Sequence, residues 1–192
     1  MPATMLHRTT SSLPIEDNGF SLGDRNDPRS PLCHVGALPS PDSTGLLAVA
    51  PGFVAVTCGV HFGDITVTTE VWSGRPEPDL VPWQDVAEVS VTWPTARIGV
   101  CGTETDIAAD IPVTLPPAPE NSFRVRDSVR HRDAGEDRGP DDLRENHLIQ
   151  IWPAAPRQDE LLKATDKTGE LWRSPAGAES RLSSRGSQNP SP

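Results

Sequence analysis

Apolar and polar residues alternate along the middle of the chain with the period of two that is typical of β-strands. The clearest case runs from Asp64 to Trp72. Its apolar-phase positions, which lie on one face of a strand, are Ile65, Val67, Thr69 and Val71. Because polar residues fill the other face, the pattern predicts a strand with one buried side.

Similar segments follow one another at intervals of about 8–15 residues, with Pro and Gly between them. They predict strands at Phe53–Val60, Val86–Trp93, Arg97–Cys101, Ile111–Leu115, Ser122–Arg132 and His147–Trp152. Short strands at such spacing are typical of an antiparallel sandwich. The sequence therefore predicts an all-β fold, an antiparallel β-sandwich of about seven strands.

The two ends of the chain lack this pattern. Residues 1–45 are rich in turn-forming residues and poor in apolar ones, so we expect them to be mostly disordered, with at most one docked strand near Phe20–Leu22. Residues 173–192 form a Ser/Pro-rich tail that we also expect to be disordered. The sandwich domain is accordingly predicted at 46–172.

One short helix is predicted near the end of this domain, at Arg157–Lys167. Leu161 and Leu162 supply its apolar positions, and Gly169 stands just beyond it as a C-terminal stop.

The chain is acidic, with 17 Lys+Arg against 27 Asp+Glu and a formal net charge of −10 over 192 residues. Nucleic-acid binding is therefore not expected, whereas a basic protein partner suits this charge. The longest apolar stretch, Gly45–Val60, is shorter than the ~20 residues that span a bilayer, so no membrane association is expected. Three cysteines do not make a disulfide scaffold, and we expect a cytoplasmic protein with reduced thiols.

Cys58 and His61 invite a metal or enzyme interpretation together with His147. An odd offset puts Cys58 and His61 on opposite faces of a strand, so we expect no metal and no cofactor. The sequence also holds no G-x-S-x-G, P-loop or H-E-x-x-H motif, which predicts a non-enzyme without catalytic residues. A small hydrolase or metal-dependent enzyme that uses these three residues remains the alternative.

Four arginines share one face of the strand predicted at Ser122–Arg132: Arg124, Arg126, Arg130 and Arg132. We interpret this as a solvated face whose arginines pair across strands with carboxylates such as Glu70 or Glu88, each exposed pair contributing about 0–1 kcal/mol. Asp127 falls on the apolar face, where it needs a partner or a bulge. The alternative is a basic stripe that serves a regulatory nucleic-acid-binding factor or an acidic partner.

The segment Asp133–Glu145 is strongly acidic, but it lacks the order of an EF-hand calcium loop. We expect it to be a hydrated loop that contacts a basic protein partner through Glu136, Asp137, Asp141 and Asp142. Trp83 lies in a Pro-rich loop, where we favour a lid over one end of the core. The alternative is a partner contact, because exposed tryptophans are frequent at interfaces.

Three stretches together resemble a group of uncharacterised actinobacterial proteins: Pro51–Gly63 (PGFVAVTCGVHFG), Asn121–Arg126 (NSFRVR) with His131–Asp133, and His147–Pro153 (HLIQIWP). These proteins are in turn distantly similar to the competence protein J family, small β-sandwich proteins whose founding member inhibits a partner nuclease. The resemblance covers roughly residues 46–172 and implies the same fold. It also implies a non-enzymatic function, a protein-binding or regulatory protein of the immunity type that inhibits a nuclease or a similar basic partner.

Overall fold

The computed structural model describes residues 2–16, 18–24, 44–102, 111–137 and 143–174. Within these residues the chain forms two β-sheets and one short α-helix. The strands, in chain order, are β1 (Met5–Ile15), β2 (Gly19–Asp24), β3 (Leu47–Ala50), β4 (Phe53–Thr57), β5 (Gly63–Trp72), β6 (Asp85–Thr92), β7 (Arg97–Gly102), β8 (Ile111–Thr114), β9 (Ser122–Arg130), β10 (Asn146–Pro153) and β11 (Glu160–Ala164). The helix is α1 (Lys167–Arg173), and 3-10 helices precede and follow β9 at Pro119–Asn121 and Arg132–Asp137.

The predicted all-β sandwich with one short C-terminal helix is confirmed, although the described residues form eleven strands rather than about seven. A six-stranded sheet has the order β1-β5-β10-β9-β6-β11, and a five-stranded sheet has the order β3-β4-β2-β7-β8. Neighbouring strands are antiparallel except β5 and β10, which pair in parallel. The core lies between the sheets, and Ile65, Val67, Thr69 and Val71 of β5 are buried on its inner face, as their alternation predicts.

The N-terminal region contributes two strands to this sandwich, which differs from the expectation of a mostly disordered segment with at most one strand. β1 pairs with β5 along its length, and β2 lies between β4 and β7. Leu13, Ile15, Phe20 and Leu22 are at most 2% exposed. The sequence pattern does not predict β1 because it is an edge strand whose first eight residues are polar or exposed to solvent. Residues 25–43 lie outside the described part of the chain.

The helix predicted at Arg157–Lys167 is wrong in position. Residues Glu160–Ala164 form β11, an edge strand that pairs with β6, and α1 begins only after Asp166. The Asp166 side chain accepts a hydrogen bond from Gly169 N, so Asp166 is an N-cap and Gly169 lies inside the helix. No helix among the described residues is long and apolar enough to cross a membrane. The predicted tail beyond residue 174 lies outside the description.

Membership of β1 in the fold can be tested with two leucines on the same strand. Leu13 is fully buried, whereas Leu6 is 52% exposed. We expect Leu13→Ala to lower the free energy of unfolding by about 2–5 kcal/mol through the cavity that it leaves, and Leu6→Ala to change it by less than about 0.5 kcal/mol. Urea unfolding of both variants measures this difference. Two equally small effects would mean that β1 is not part of the folded domain.

Candidate functional site

A cluster of ionisable side chains lies inside the sandwich where β4 ends and β10 begins. Cys58 follows β4, Glu145 precedes β10, and His147 is the second residue of β10. All three are fully buried, and their sulfur, oxygen and nitrogen atoms lie within 4.8 Å of one another. With Asp127 of β9 they form what we call the Cys58 cluster.

His147 is the centre of the Cys58 cluster. Its Nε2 lies 2.9 Å from Glu145 Oε1 and 3.9 Å from Cys58 Sγ, and its Nδ1 lies 2.8 Å from Asp127 Oδ2. Each ring nitrogen therefore faces a carboxylate. His147 is therefore the partner that the sequence predicts for Asp127 on the apolar face of its strand.

The backbone places these side chains by register and by a close approach. His147 pairs with Val129, and Asp127 pairs with Ile149 on the neighbouring strand, so both residues point to the core. The Glu145 carboxylate accepts hydrogen bonds from Gly59 N and Val60 N at 3.1–3.2 Å. A Cβ on Gly59 would collide with the carbonyl of Arg132, so glycine is needed for this approach.

Burial and the neighbouring carboxylates set the protonation of the Cys58 cluster. Burial raises the pKa of Cys58 to about 12, and Glu145 adds to the effect, so the group is a neutral thiol near pH 7. Burial lowers the pKa of His147, but the charge and hydrogen bond of Asp127 and the hydrogen bonds to Cys58 and Glu145 outweigh it. The pKa of His147 therefore lies well above its ordinary value.

The order Cys58, His147, Asp127 is that of a nucleophile, a base and a group that orients the base. Catalysis by such a triad needs a thiolate and access for a substrate. Here the Cys58 thiol is protonated, and all members of the cluster are 0% exposed. His147 Nε2 lies closer to Glu145 than to the thiol. As described, the cluster is closed to a substrate.

His61 does not join the Cys58 cluster. Its Nδ1 lies 2.9 Å from Asn18 Oδ1, and the side chain is only half-buried. Of the three residues that the sequence offered for an enzyme, the structure brings Cys58 and His147 together and leaves His61 apart. The acidic members Glu145 and Asp127 supply the rest of the cluster.

Arg124 and Arg126 lie on the outer face of the six-stranded sheet and pair with Glu88 of β6. Arg126 Nη2 lies 2.7 Å and Arg124 Nη2 lies 3.5 Å from the Glu88 carboxylate. All three side chains are at most 2% exposed. The expected pairing with Glu88 is present, but the expectation of a solvated face is wrong for these two arginines.

Two loops explain this burial. Arg126 Nη2 donates to Pro76 O in the loop between β5 and β6. Arg124 Nη1 donates to the carbonyls of Arg157 and Gln158, just before β11. The loops thereby cover the arginines and leave neither guanidinium open to a phosphate backbone.

A row of polar side chains crosses the sheet through Arg126. Along the register, Arg8, Glu70, Gln150, Arg126 and Glu88 lie opposite one another on five successive strands. Each neighbour contacts the next at 2.7–3.2 Å. Glu70, the other carboxylate expected to pair, thus serves Arg8 and Gln150.

Arg132, predicted on the same solvated strand face, instead follows the end of β9 and is fully buried at the end of the sandwich, so that prediction is wrong for it too. Its Nε and Nη2 donate to the Asp166 carboxylate at 2.9 and 2.7 Å, and Nη2 also contacts Asp85 Oδ2 at 3.2 Å. Its Nη1 donates to the carbonyls of Gly45 and Thr57. Burial alone would lower the pKa of Arg132, but Asp166 and Asp85 hold it above its ordinary value.

Arg130 and Trp83, two further predicted contacts, are half-buried. Arg130 stacks on the half-buried Trp83 ring, with its guanidinium carbon 5.1 Å from the ring centroid. Glu136 and Asp137 end the 3-10 helix that follows β9. Asp141 and Asp142 lie outside the described residues.

Comparisons with known proteins give a fold-level resemblance. No protein-family model and no curated protein matches the chain. The crystal structure of ComJ, inhibitor of the DNA degrading activity of NucA, from Bacillus subtilis matches with a TM-score of 0.53 and 9% identity, over 80% of this chain and 100% of that chain. The structure titled crocagin biosynthetic gene J matches with a TM-score of 0.49 and 18% identity, over 81% of this chain and 100% of that one. The ComJ match is a distant likeness that supports the sandwich fold.

The buried ion pair gives a test on stability. We expect Arg126→Gln to lower the free energy of unfolding by about 3–5 kcal/mol because it leaves the buried Glu88 carboxylate short of its closest cation. The matched control is Arg97→Gln, at an exposed position of β7, which should change it by less than about 0.5 kcal/mol. Chemical denaturation measures both. If both variants lost similarly little free energy of unfolding, the interpretation of the arginine face as solvated would be supported instead.

The closed Cys58 cluster gives a test on thiol reactivity. In a Cys33→Ser background, the two cysteines left are Cys58 and Cys101, both buried. We expect neither to react with Ellman's reagent in the native protein at mildly alkaline pH, and both to react after unfolding, because a buried, protonated thiol is inert. A fast native reaction that disappears in Cys58→Ser would show instead an activated cysteine.

Proposed function

We propose that this chain is a non-enzymatic protein that binds and inhibits another protein, and that the partner is a nuclease with a basic surface. The observation that carries the proposal is the likeness to ComJ, which extends over the whole of that inhibitor. Because a fold hosts many functions, the likeness supports the inhibitor class only together with the properties of this chain.

The closed Cys58 cluster favours binding over catalysis. Cys58 and His147 are the nucleophile and base that the described residues bring together, and both are fully buried. A protonated thiol without access supplies no attacking group. The described part of the chain thus gives no support to the hydrolase alternative.

The net charge favours a basic partner. At −10, the chain would attract a protein with the cationic surface that nucleic-acid enzymes need, and such attraction raises the association rate more than the final affinity. The arginines that could have opposed this attraction are largely neutralised. Arg124, Arg126 and Arg132 are buried against carboxylates.

We propose that the partner contacts the acidic segment after β9. Asp133 is less suited to a partner contact, because its carboxylate already accepts hydrogen bonds from Lys167 N and Thr168 N at the start of α1. The proposed contact carboxylates are therefore the four beyond it: Glu136, Asp137, Asp141 and Asp142. Trp83, whose ring stacks with Arg130 of β9, is the proposed aromatic contact.

The test uses purified DNA-degrading enzymes of basic charge, with NucA from Bacillus subtilis among them. We expect the chain to stop degradation of a fluorescent DNA substrate at a near-stoichiometric ratio. Neutralising the four acidic residues (E136Q/D137N/D141N/D142N) should slow association about tenfold or more at low salt, and the difference should shrink as salt rises.

The matched control removes the same charge elsewhere, at four exposed carboxylates (E77Q/D79N/E120Q/D159N). It should slow association much less, because its effect acts only through net charge. Equal slowing by the two variants would contradict the proposed contact surface. Undiminished DNA degradation with excess wild-type chain would contradict the proposed inhibitor function.

A further inference from the structure

The Cys58 cluster combines a thiol, an imidazole and a carboxylate from distant parts of the chain. We propose that it is a divalent-metal site, best suited to zinc, with Cys58 Sγ, His147 Nε2 and a Glu145 oxygen as ligands. The three ligand atoms lie within 4.8 Å of one another inside the core. This inference is independent of the inhibitor function.

Two of the three ligand separations are close to those of a tetrahedral zinc site, and the third lies within 4.8 Å. Bond lengths of about 2.0–2.1 Å to nitrogen and oxygen and about 2.3 Å to sulfur put neighbouring ligands about 3.3 Å (N to O) and about 3.6 Å (S to N) apart. Here Nε2 lies 2.9 Å from Glu145 Oε1 and 3.9 Å from Cys58 Sγ. Shifts of about 0.3–0.5 Å would bring both separations to those values.

Asp127 supplies what a metal-binding histidine needs behind it. Its Oδ2 lies 2.8 Å from His147 Nδ1, on the side of the ring opposite the proposed ion. Such a carboxylate fixes the proton on Nδ1, leaves Nε2 as the ligand and raises its basicity. Asp127 Oδ1 is buried without a hydrogen-bond partner among the described residues, which is an unusual cost for a purely structural carboxylate.

Binding of a divalent ion in exchange for two protons leaves the net charge of the cluster unchanged. Without an ion, one proton sits on Cys58 Sγ and another lies in the 2.9 Å contact between His147 Nε2 and Glu145 Oε1. On binding, the thiol and Nε2 each release a proton to water, and the ion brings two positive charges. The buried net charge is unchanged, so no new uncompensated charge enters the core.

The ligand types favour zinc, and the burial of the site favours a structural role. Thiolate and imidazole are ligands that zinc accepts and that magnesium and calcium do not prefer. Three protein ligands leave the fourth tetrahedral position to a water, and because the cluster is closed to a substrate we expect the ion to act structurally. It would join the segment after β4 in one sheet to the start of β10 in the other.

The test uses the full chain in a Cys33→Ser background, freed of metal by unfolding with a chelator and then refolded under reducing conditions with Zn²⁺ or Co²⁺. We expect one ion per chain by elemental analysis and a higher Tm with Zn²⁺. The Co²⁺ form should show the near-ultraviolet charge-transfer band of a cobalt–thiolate bond. These readouts use no partner protein, so the inhibitor function can fail without affecting them.

Variants assign the ligands. Cys58→Ser should abolish the charge-transfer band, and Glu145→Gln should weaken binding at least tenfold. The controls Cys101→Ser and His61→Ala should keep both band and stoichiometry, because neither residue belongs to the cluster. The proposal is overturned if the folded wild-type chain binds no ion and its Tm ignores Zn²⁺, or if the band survives Cys58→Ser.

Discussion

The arrangement of the two sheets and the helix depends on the hydrogen bonds and ion pairs of the Arg132 guanidinium. Its five hydrogen bonds reach the carbonyls of Gly45 and Thr57 at β3 and β4, Asp85 at the start of β6, and the helix cap Asp166. Asp85 in turn accepts from Thr165 N and Asp166 N. Without the arginine, two carboxylates would stay buried without their main cation, which is strongly destabilising.

β9 supplies side chains to three separate polar groups. Arg124 and Arg126 point outward to Glu88, Asp127 points inward to His147, and Arg132 just after the strand holds the end of the sandwich. A central strand thus carries charges on both faces, each with a partner on a neighbouring element. The interior of this protein is specified by matched charges as much as by apolar packing.

The sequence predicts the sandwich and most of its strands because alternation shows directly in the residues. It misses the edge strands β1, β3 and β11: β1 and β11 bury little apolar surface, and β3 is only four residues long. The inward position of Asp127 is predictable from its phase. The Cys58 cluster is not, because its members are brought together by sheet order and register, and only the apolar phase of His147 with Ile149 and Ile151 hints at it.

The parallel pairing of β5 with β10 has a consequence for how the chain is made. β5 sits between β1, from the start of the chain, and β10, from near its end. During synthesis, one edge of β5 therefore waits uncovered until β10 has emerged from the ribosome. Pairings so distant in sequence make for slow folding and for a nascent chain that exposes strand edges to its neighbours. Completion of the six-stranded sheet therefore cannot precede the synthesis of β10, which lies far beyond β5 in the sequence.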